Sequence, residues 1–203
     1  MAYDSTEKLT RLTWNQFGER VDKLYLKVRR YLNKNKIELS AIVPILREGG
    51  FIGLPFAFKF NTLRVIPIQF KYFLKPGINP YDQVPSLIAD IPRLYYKFPQ
   101  RSTFLVTDVF PGEGKTATAV GKKLKKRFPK CQLIYVCMFQ DVSFKKPVVY
   151  KAAIAGWQTD DTDQLSKVEK KKRGIETEFY LMPWQNPDEE IAPIVGKEYF
   201  YDF

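Results

Sequence analysis

One segment near the middle of the chain has the pattern of a buried strand, a glycine-rich turn and a helix in succession. Residues 103–109 are almost continuously apolar, and the turn over 110–116 contains Gly112 and Gly114. A helical spacing of apolar residues follows the turn. This order is typical of a βα unit in a parallel sheet and predicts an α/β fold. The strand also brings the carboxylate of Asp108 to the carboxyl edge of the sheet, where open α/β proteins bind their ligands.

The same turn has the chemistry of a phosphate-binding loop. Glycines allow positive φ angles and a close approach of the backbone to a ligand, and the N-terminus of the following helix favours an anion. Lys115 adds a positive charge and Thr116 adds a hydroxyl. The turn is not a Walker A loop, because Val109 occupies the position of that motif's first glycine. An ordinary glycine-rich turn without a ligand is the alternative interpretation.

The rest of the chain continues the alternation of helices and strands. Thr13 and Gln16 have the spacing of a capping box, which predicts that a helix begins there. An apolar stripe with gaps of three and four follows and predicts the buried side of that helix. Residues 71–100 are rich in proline and are predicted to form an irregular lobe or lid, with an oligomer interface as the alternative. A helix is also predicted at 116–128, and further strands at 37–45, 64–70, 132–139, 148–155 and 178–182.

The composition limits the chemistry. The chain of 203 residues fits one domain over residues 1–203 and contains no histidine, which excludes histidine-dependent triads and most catalytic zinc sites. Its 33 Lys and Arg exceed its 22 Asp and Glu, and the formal charge of +11 suits a nucleic acid, a phosphorylated small molecule or a membrane surface. Cys131 and Cys137 predict free thiols in a reducing cytoplasm. No long apolar run or signal-peptide pattern is present, so we expect no membrane partner.

Two basic clusters and one tryptophan allow two interpretations each. The cluster over 122–127 is a solvated helix face or, alternatively, a nucleic-acid patch. The cluster over 167–173 is predicted to lie in a mobile polar loop, again with a nucleic-acid patch as the alternative. Trp157 is predicted to pack at the surface, with base stacking as the alternative. A nucleic-acid-binding module is therefore one functional hypothesis.

Four stretches, in this order along the chain, resemble the type I phosphoribosyltransferases and in particular their xanthine–guanine–hypoxanthine branch. Thr13-Trp14-Asn15 is similar to the Thr-Trp-Asp that opens the first helix of the bacterial xanthine–guanine enzymes. Residues 43–50 resemble the family's pyrophosphate loop, an apolar strand that ends in Arg-Gly-Gly or Arg-Ala-Gly. Residues 104–116 resemble the ribose-phosphate loop, and residues 179–184 resemble the aromatic-x-x-x-Pro-Trp stretch of purine-specific members.

The resemblance implies a fold with a mostly parallel central sheet, a small hood or lid lobe and a hood or base-binding region at 156–203. It also implies the transfer of ribose 5-phosphate from phosphoribosyl pyrophosphate to a purine base with Mg²⁺, in a homo-oligomer that is a dimer or a tetramer. The implied roles are as follows: Asp108 for the ribose hydroxyls and the metal; Gly112, Gly114, Lys115 and Thr116 for the 5-phosphate; Arg47, Gly49 and Gly50 for pyrophosphate; Phe179 and the Tyr180 backbone for the base; Glu113 as the catalytic base.

The sequence departs from the family pattern at several of these places. Thr107 replaces the first acid of the usual pair, and the ribose-phosphate loop is one residue longer than usual. Glu48 adds a negative charge to the pyrophosphate loop. Gln140-Asp141 stands where 6-oxopurine enzymes have a lysine, so either that lysine has shifted to Lys145 or Lys146, or the base is not a standard 6-oxopurine. A degenerate relative that binds a nucleotide or phosphoribosyl pyrophosphate for regulation, with little turnover, is therefore the second hypothesis.

Overall fold

The computed structural model describes residues 9–71, 84–112, 114–160, 164–175 and 179–185. Over these ranges the chain forms a six-stranded sheet, a two-stranded sheet and four helices. The strands are β1 (Leu9–Arg11), β2 (Ala41–Leu46), β3 (Ile68–Lys71), β4 (Ser86–Ala89), β5 (Thr103–Asp108), β6 (Gln132–Asp141), β7 (Ala152–Thr159) and β8 (Phe179–Leu181). The helices are α1 (Trp14–Lys34), α2 (Gly50–Lys59), α3 (Lys115–Arg127) and α4 (Lys167–Arg173).

The large sheet has the strand order β4-β3-β2-β5-β6-β7, and only the β3–β4 pair is antiparallel. The prediction of a mostly parallel sheet flanked by helices is therefore confirmed. Its central strand β5 is buried along its whole length, which explains why residues 104–106 are consecutive apolar residues rather than alternating ones. β1 and β8 form the separate parallel pair, beside the start of α1.

Helix α1 begins as the sequence predicts. The Thr13 hydroxyl accepts a hydrogen bond from the Gln16 amide at 3.2 Å, and the Gln16 side chain accepts one from the Thr13 amide at 2.8 Å. The apolar stripe that follows is buried at Phe17, Val21, Leu24, Val28 and Leu32. Trp14, at the head of the stripe, remains 56% exposed.

Two apolar cores lie on opposite faces of the sheet. The first joins the buried sides of α1 and α2 to residues such as Ile42, Leu105 and Val136. The second joins α3, through residues such as Val120 and Leu124, to the other face of the same strands. Because helices cover both faces, the open surface for a ligand is the carboxyl edge, where β2, β5, β6 and β7 end.

Several boundaries differ from the predictions. The strand expected at 37–45 begins at Ala41, and the one expected at 148–155 runs from Ala152 to Thr159. Residues 86–89, which were predicted to be irregular, form an edge strand, while 72–83 lie outside the described residues, so the lid role of this lobe stays a prediction.

The prediction of a mobile loop for 167–173 is wrong. These residues form α4, which a Ser166–Glu169 capping box begins and the left-handed Gly174 ends. Local hydrogen bonds at both ends therefore order a segment whose charge suggested a loop. Cys131 and Cys137 are free thiols and buried, as expected. No helix among the described residues is long and apolar enough to cross a membrane.

Candidate functional site

The two loops that the sequence singled out are in direct contact. β2 and β5 are parallel neighbours, so the turn after Leu46 and the end of β5 meet at the carboxyl edge. The Thr107 hydroxyl donates a hydrogen bond to the Gly49 carbonyl at 2.9 Å. A Cβ atom on Gly49 would lie 2.2 Å from the Thr107 carbonyl oxygen, so only glycine fits at position 49. Thr107 thus joins the loops in place of an acid that would face a ligand.

The turn after β5 has the backbone geometry of an anion-binding loop. Gly112 and Gly114 have φ angles of +50° and +80°, which only glycine adopts without strain. Gly114 is the N-cap of α3 and has no side chain to cap the first amides of that helix, which also lack acceptors within it. Lys115 and Thr116 begin the helix and are half-buried. Glu113 lies outside the described residues, so its role as the base stays a prediction.

Asp108 is the buried carboxyl group of the site, with an exposure of 8%. It accepts hydrogen bonds from the Tyr135 hydroxyl at 2.8 Å and from the Val109 amide at 2.9 Å. The pKa of Asp108 is raised to about 7, chiefly by burial and in addition by the nearby Glu48 carboxylate, against the opposing effect of the Tyr135 and Val109 hydrogen bonds. Near neutral pH, therefore, this group can either hold or release a proton.

The segment predicted to bind pyrophosphate is a tight turn. Arg47 is exposed, while Gly49 and Gly50 are buried. The Gly49 amide donates to the Ile45 carbonyl at 2.8 Å and the Gly50 amide donates to the Arg47 carbonyl at 3.0 Å. These amides are engaged within the turn, so they can bind an anion only if the turn rearranges, whereas the Arg47 side chain can reach a ligand directly.

A row of aromatic rings continues from the phosphate loop toward β8. The Phe110 and Phe139 rings stack with centroids 5.0 Å apart, and Phe139 stacks on Tyr180 at 5.2 Å. The guanidinium of Arg20 lies 4.5 Å from the centroid of Trp157 and 4.6 Å from that of Tyr180. Arg20, Trp157 and Tyr180 also line a pocket of about 390 Å³. The side chain of Phe179 is not among those described, although its backbone pairs with Leu9.

This aromatic and cationic cluster was not predicted as a unit. In the sequence, Arg20 belongs to the polar face of α1, and its aromatic partners come from the ends of β6, β7 and β8. Trp157 is half-buried, as expected for a packed surface aromatic.

At the end of β6, Asp141 is buried and accepts hydrogen bonds from the amide and hydroxyl of Ser143. The nearby Lys146 donates to the Tyr150 carbonyl.

Within the described ranges, no group of three or more His, Cys, Asp or Glu side chains could hold a metal ion. In the phosphate loop, the acidic residue that the structure describes is Asp108. Both of its carboxylate oxygens accept hydrogen bonds. A protein cage for Mg²⁺ is therefore not formed by these residues. Mg²⁺ often binds proteins through one or two carboxylates together with substrate phosphates, and a site of that kind requires only Asp108 from this chain.

Comparisons with known proteins show what this architecture is similar to. No protein-family model and no curated protein sequence matches the chain. Among solved structures, a xanthine-guanine-hypoxanthine phosphoribosyltransferase from Helicobacter pylori matches with a TM-score of 0.63 and 14% identity, over 92% of this chain and 99% of that one. A purine phosphoribosyltransferase from Pyrococcus horikoshii matches with a TM-score of 0.59 and 15% identity, over 88% and 95%.

A third similar structure is a hypothetical protein from Neisseria gonorrhoeae with bound ppGpp, with a TM-score of 0.59 and 15% identity, over 93% of this chain and 96% of that one. These matches span almost the whole chain, but at such identities they establish the fold and not the substrate. Together with the parallel sheet and its two loops, they show that this chain has the type I phosphoribosyltransferase fold.

Proposed function

We propose that the chain is a purine phosphoribosyltransferase. In this reaction the C1–oxygen bond between ribose and pyrophosphate breaks, a C1–nitrogen bond to the purine forms, and the purine nitrogen loses its proton. The observation that carries the proposal is the contact between the two loops at the ends of β2 and β5, where the Thr107 hydroxyl bonds the Gly49 carbonyl at 2.9 Å. A substrate with a phosphate at one end and a pyrophosphate at the other needs two anion-binding groups side by side, here the N-terminus of α3 and the Arg47 side chain.

The 5-phosphate would bind at the turn before α3. The positive φ angles of Gly112 and Gly114 curve the backbone there, and the first amides of α3 point out of the helix end. Lys115 and Thr116 would add a charge and a hydroxyl. Because α3 is packed against the sheet through Val120 and Leu124, the phosphate would be held by a rigid element. Rigid placement of the ribose is a large part of the catalysis expected for this reaction.

The pyrophosphate would leave toward the turn after β2, where the exposed Arg47 guanidinium can neutralise its charge. Asp108 would face the ribose hydroxyls and is the described residue that could hold Mg²⁺, which when bound would neutralise charge on the pyrophosphate. Asp108 must be ionised for this role, so ribose or metal binding is expected to compete with the proton that burial favours.

The purine would bind at the aromatic row. Tyr180 and Trp157 are half-buried and line the pocket with flat apolar rings, and the Arg20 guanidinium is a cation that can donate to a purine oxygen or nitrogen. We propose that Arg20 reads the exocyclic oxygen for which related enzymes use a lysine. Arg20→Gln should then raise the KM for the purine about tenfold or more, with little change in the KM for phosphoribosyl pyrophosphate. Arg30→Gln, an exposed change on the same helix, is the matched control.

The test of the whole proposal is a panel of purines and pyrimidines with phosphoribosyl pyrophosphate and Mg²⁺, in which released pyrophosphate is measured. We expect turnover with at least one purine, and a fall in kcat of about a hundredfold or more in Asp108→Asn. Absence of turnover with every base would refute the proposal, and so would full activity of the Asp108→Asn enzyme.

Two observations favour a second candidate function, in which the chain binds a nucleotide for regulation and turns it over poorly. The Thr107 hydroxyl is used to join the loops, and Asp108, the described acid of the ribose-phosphate loop, has a pKa raised to about 7, chiefly by burial. A protein of the same fold was solved with bound ppGpp, which makes a phosphorylated guanosine a suitable probe. Calorimetry with ppGpp, GMP and phosphoribosyl pyrophosphate should then show binding to a chain that is inactive in the panel. Failure of all three to bind would exclude this candidate.

A further inference from the structure

The connection between β6 and β7 contains no helix, which is unusual for two neighbouring parallel strands. β6 ends at Asp141, β7 begins at Ala152, and residues 142–151 between them form turns and irregular backbone. Parallel neighbours are usually joined by a crossover that contains a helix. Here α3 already packs on that face of the sheet, and residues 144–150 lie over α3 instead. We call residues 142–151 the β6–β7 strap.

The β6–β7 strap packs closely on small residues of α3. A Cβ atom on Gly121 would lie 2.4 Å from Cγ2 of Val149. The Tyr150 hydroxyl donates a hydrogen bond to the Ala117 carbonyl at 2.7 Å. The strap lies directly on the helix, because glycine and alanine leave room for it.

At the N-terminal end of α3, the strap contacts the candidate 5-phosphate loop through Phe144. A Cβ atom on Gly114 would lie 2.9 Å from Cε2 of Phe144, so the ring occupies the space directly beside the N-cap of α3. Gly114 is buried, its φ angle is +80°, and its amide donates a hydrogen bond to the Pro111 carbonyl at 2.8 Å. The ring therefore packs on the residue whose conformation turns the loop into the helix.

The same ring also contacts the residue that holds Asp108. The Phe144 and Tyr135 rings stack with their centroids 5.9 Å apart and an angle of 22° between their planes. The Tyr135 hydroxyl donates a hydrogen bond to the Asp108 carboxyl at 2.8 Å. One side chain thus touches both the loop proposed for the 5-phosphate and the tyrosine that positions the carboxyl proposed for the ribose.

Phe144 is itself held in place by the end of β6. Its amide donates a hydrogen bond to the Asp141 carbonyl at 3.0 Å, and the Asp141 carboxylate accepts hydrogen bonds from the amide and hydroxyl of Ser143. The Phe144 ring is half-buried and packs against the core between α3 and the sheet. The strap therefore presents the ring to the loop from a fixed base, the buried end of β6.

We infer that Phe144 is a positioning residue for the 5-phosphate and the ribose, a role that rests on the proposed function. Its ring fills the space beside Gly114 and keeps the first amides of α3 directed at one point, where an anion would bind. The ring also limits the movement of Tyr135, and through it that of Asp108, relative to that point. A misplacement of about 1 Å in such an arrangement can cost on the order of a hundredfold in rate. Phe144 acts through these residues and not by contact with the substrate.

Ribose 5-phosphate is a suitable probe, because it contains the phosphate and the ribose but no pyrophosphate. Calorimetry should give a Kd for Phe144→Ala that is about tenfold or more above that of the wild type. Phe144→Leu, which keeps most of the bulk beside Gly114, should recover most of the affinity. Val149→Ala is the matched control, since it truncates a side chain of the same strap that packs at Gly121, about two turns further along α3. Its Kd should equal that of the wild type.

Two further measurements separate the positioning role from a general loss of stability. In the active enzyme, Phe144→Ala should raise the KM for phosphoribosyl pyrophosphate and leave the KM for the purine unchanged, whereas a partly unfolded enzyme would lower kcat alone. Amide hydrogen exchange needs no ligand. The Gly114 amide should exchange faster in Phe144→Ala than in the wild type and should be unchanged in Val149→Ala.

The results distinguish this role from the proposed function. An unchanged Kd in Phe144→Ala would overturn the inference even in an active enzyme, and so would a loss of affinity in Val149→Ala as large as that in Phe144→Ala. A wild-type chain that binds no ribose 5-phosphate would also overturn it, whatever its activity. A chain that binds ribose 5-phosphate, loses affinity in Phe144→Ala and turns over no base would refute the proposed function alone.

Discussion

Asp108 and Asp160 are two aspartates of similarly low solvent exposure at the carboxyl edge of the same sheet, and their pKa values shift in opposite directions. Asp108 ends β5 and is 8% exposed, while Asp160 follows β7 and is 7% exposed. Burial raises the pKa of Asp108 to about 7, and the Tyr135 hydroxyl and the Val109 amide do not offset it. Burial also acts to raise the pKa of Asp160, but the amides of Leu165 and Gln164 and the Lys170 ammonium outweigh it and lower that pKa.

Depth and partners both separate the two carboxyl groups, because Asp108 ends an inner strand of the sheet and Asp160 follows the edge strand β7. Asp160 accepts hydrogen bonds from two backbone amides at 2.9 Å and forms an ion pair with Lys170 at 3.2 Å. These contacts fix the start of α4 to the end of β7. Asp108 has weaker partners and a carboxylate, Glu48, nearby. We therefore assign Asp160 to the connection between β7 and α4 and regard Asp108 as the group available for a ligand.

The strongest test of this distinction is to remove the charge at each position. Asp160→Asn should lower the free energy of unfolding by about 3 kcal/mol, because the Lys170 ammonium, whose side chain is 12% exposed, loses the Asp160 carboxylate and one amide loses its acceptor. Asp108→Asn is the matched control and should cost much less at pH 7, where the wild-type group already holds a proton about half the time. Denaturant unfolding measures both. Equal losses would contradict the assignment.

The second test uses pH on the ligand-free protein with a chelator present. The folded pKa of Asp108, about 7, lies above its ordinary value of 3.8, so this group favours folding at acidic pH and the contribution is lost as pH rises toward 7. Between pH 5 and pH 7 the unfolding free energy of the wild type should fall by about 2 kcal/mol relative to that of Asp108→Asn.

Asp160 should behave in the opposite way, since its folded pKa is lowered. Its stabilising contribution is present above the ordinary aspartate pKa and is lost only as pH falls through the lower folded value. The difference between wild type and Asp160→Asn should therefore be constant from pH 5 to pH 7. A parallel pH dependence of the two variants would show that burial, and not the partners, sets both carboxyl groups.

The sequence predicted the parts of this molecule that depend on local patterns. The capping box at Thr13, the apolar stripe of α1 and the buried strand before Asp108 are all properties of short segments, and each was confirmed. The same rule applies to a signal that was missed. Ser166 and Glu169 have capping-box spacing, yet the run of lysines after them suggested a loop instead of α4.

The unpredicted features depend on contacts between distant segments. Arg20 lies over Phe139, Trp157 and Tyr180, which are far from it in the chain. No local sequence pattern predicts this contact. Likewise, Thr107 is identifiable in the sequence as a missing acid, but its hydrogen bond to Gly49 requires the pairing of β2 with β5. The raised pKa of Asp108 belongs to the same class, because its Tyr135 partner comes from the next strand.

The third test concerns the partner of Asp108. Tyr135→Phe removes the hydroxyl that donates to the Asp108 carboxyl at 2.8 Å and should cost about 1.5 kcal/mol, more at pH 8 than at pH 5 because the ionised group needs the donor most. Tyr150→Phe is the matched control, since its buried hydroxyl donates to the neutral Ala117 carbonyl at 2.7 Å. Its cost should be about 1 kcal/mol at both pH values. Unfolding at each pH separates the two, and equal pH dependence would count against the coupling.

The smallest change in unfolding free energy is expected at Asp90. Like Asp160, Asp90 has a lysine partner, but it lies in an exposed position. Lys123 lies 2.6 Å from Asp90, and the two side chains are 32% and 52% exposed. The hydrogen bond from Lys123 lowers the pKa of Asp90. Water and salt screen such a pair, so Lys123→Ala should change the unfolding free energy by at most about 0.5 kcal/mol, and raised salt should remove even that. A loss as large as that of Asp160→Asn would show that the ion pair itself, and not its burial and its amide partners, makes Asp160 structural.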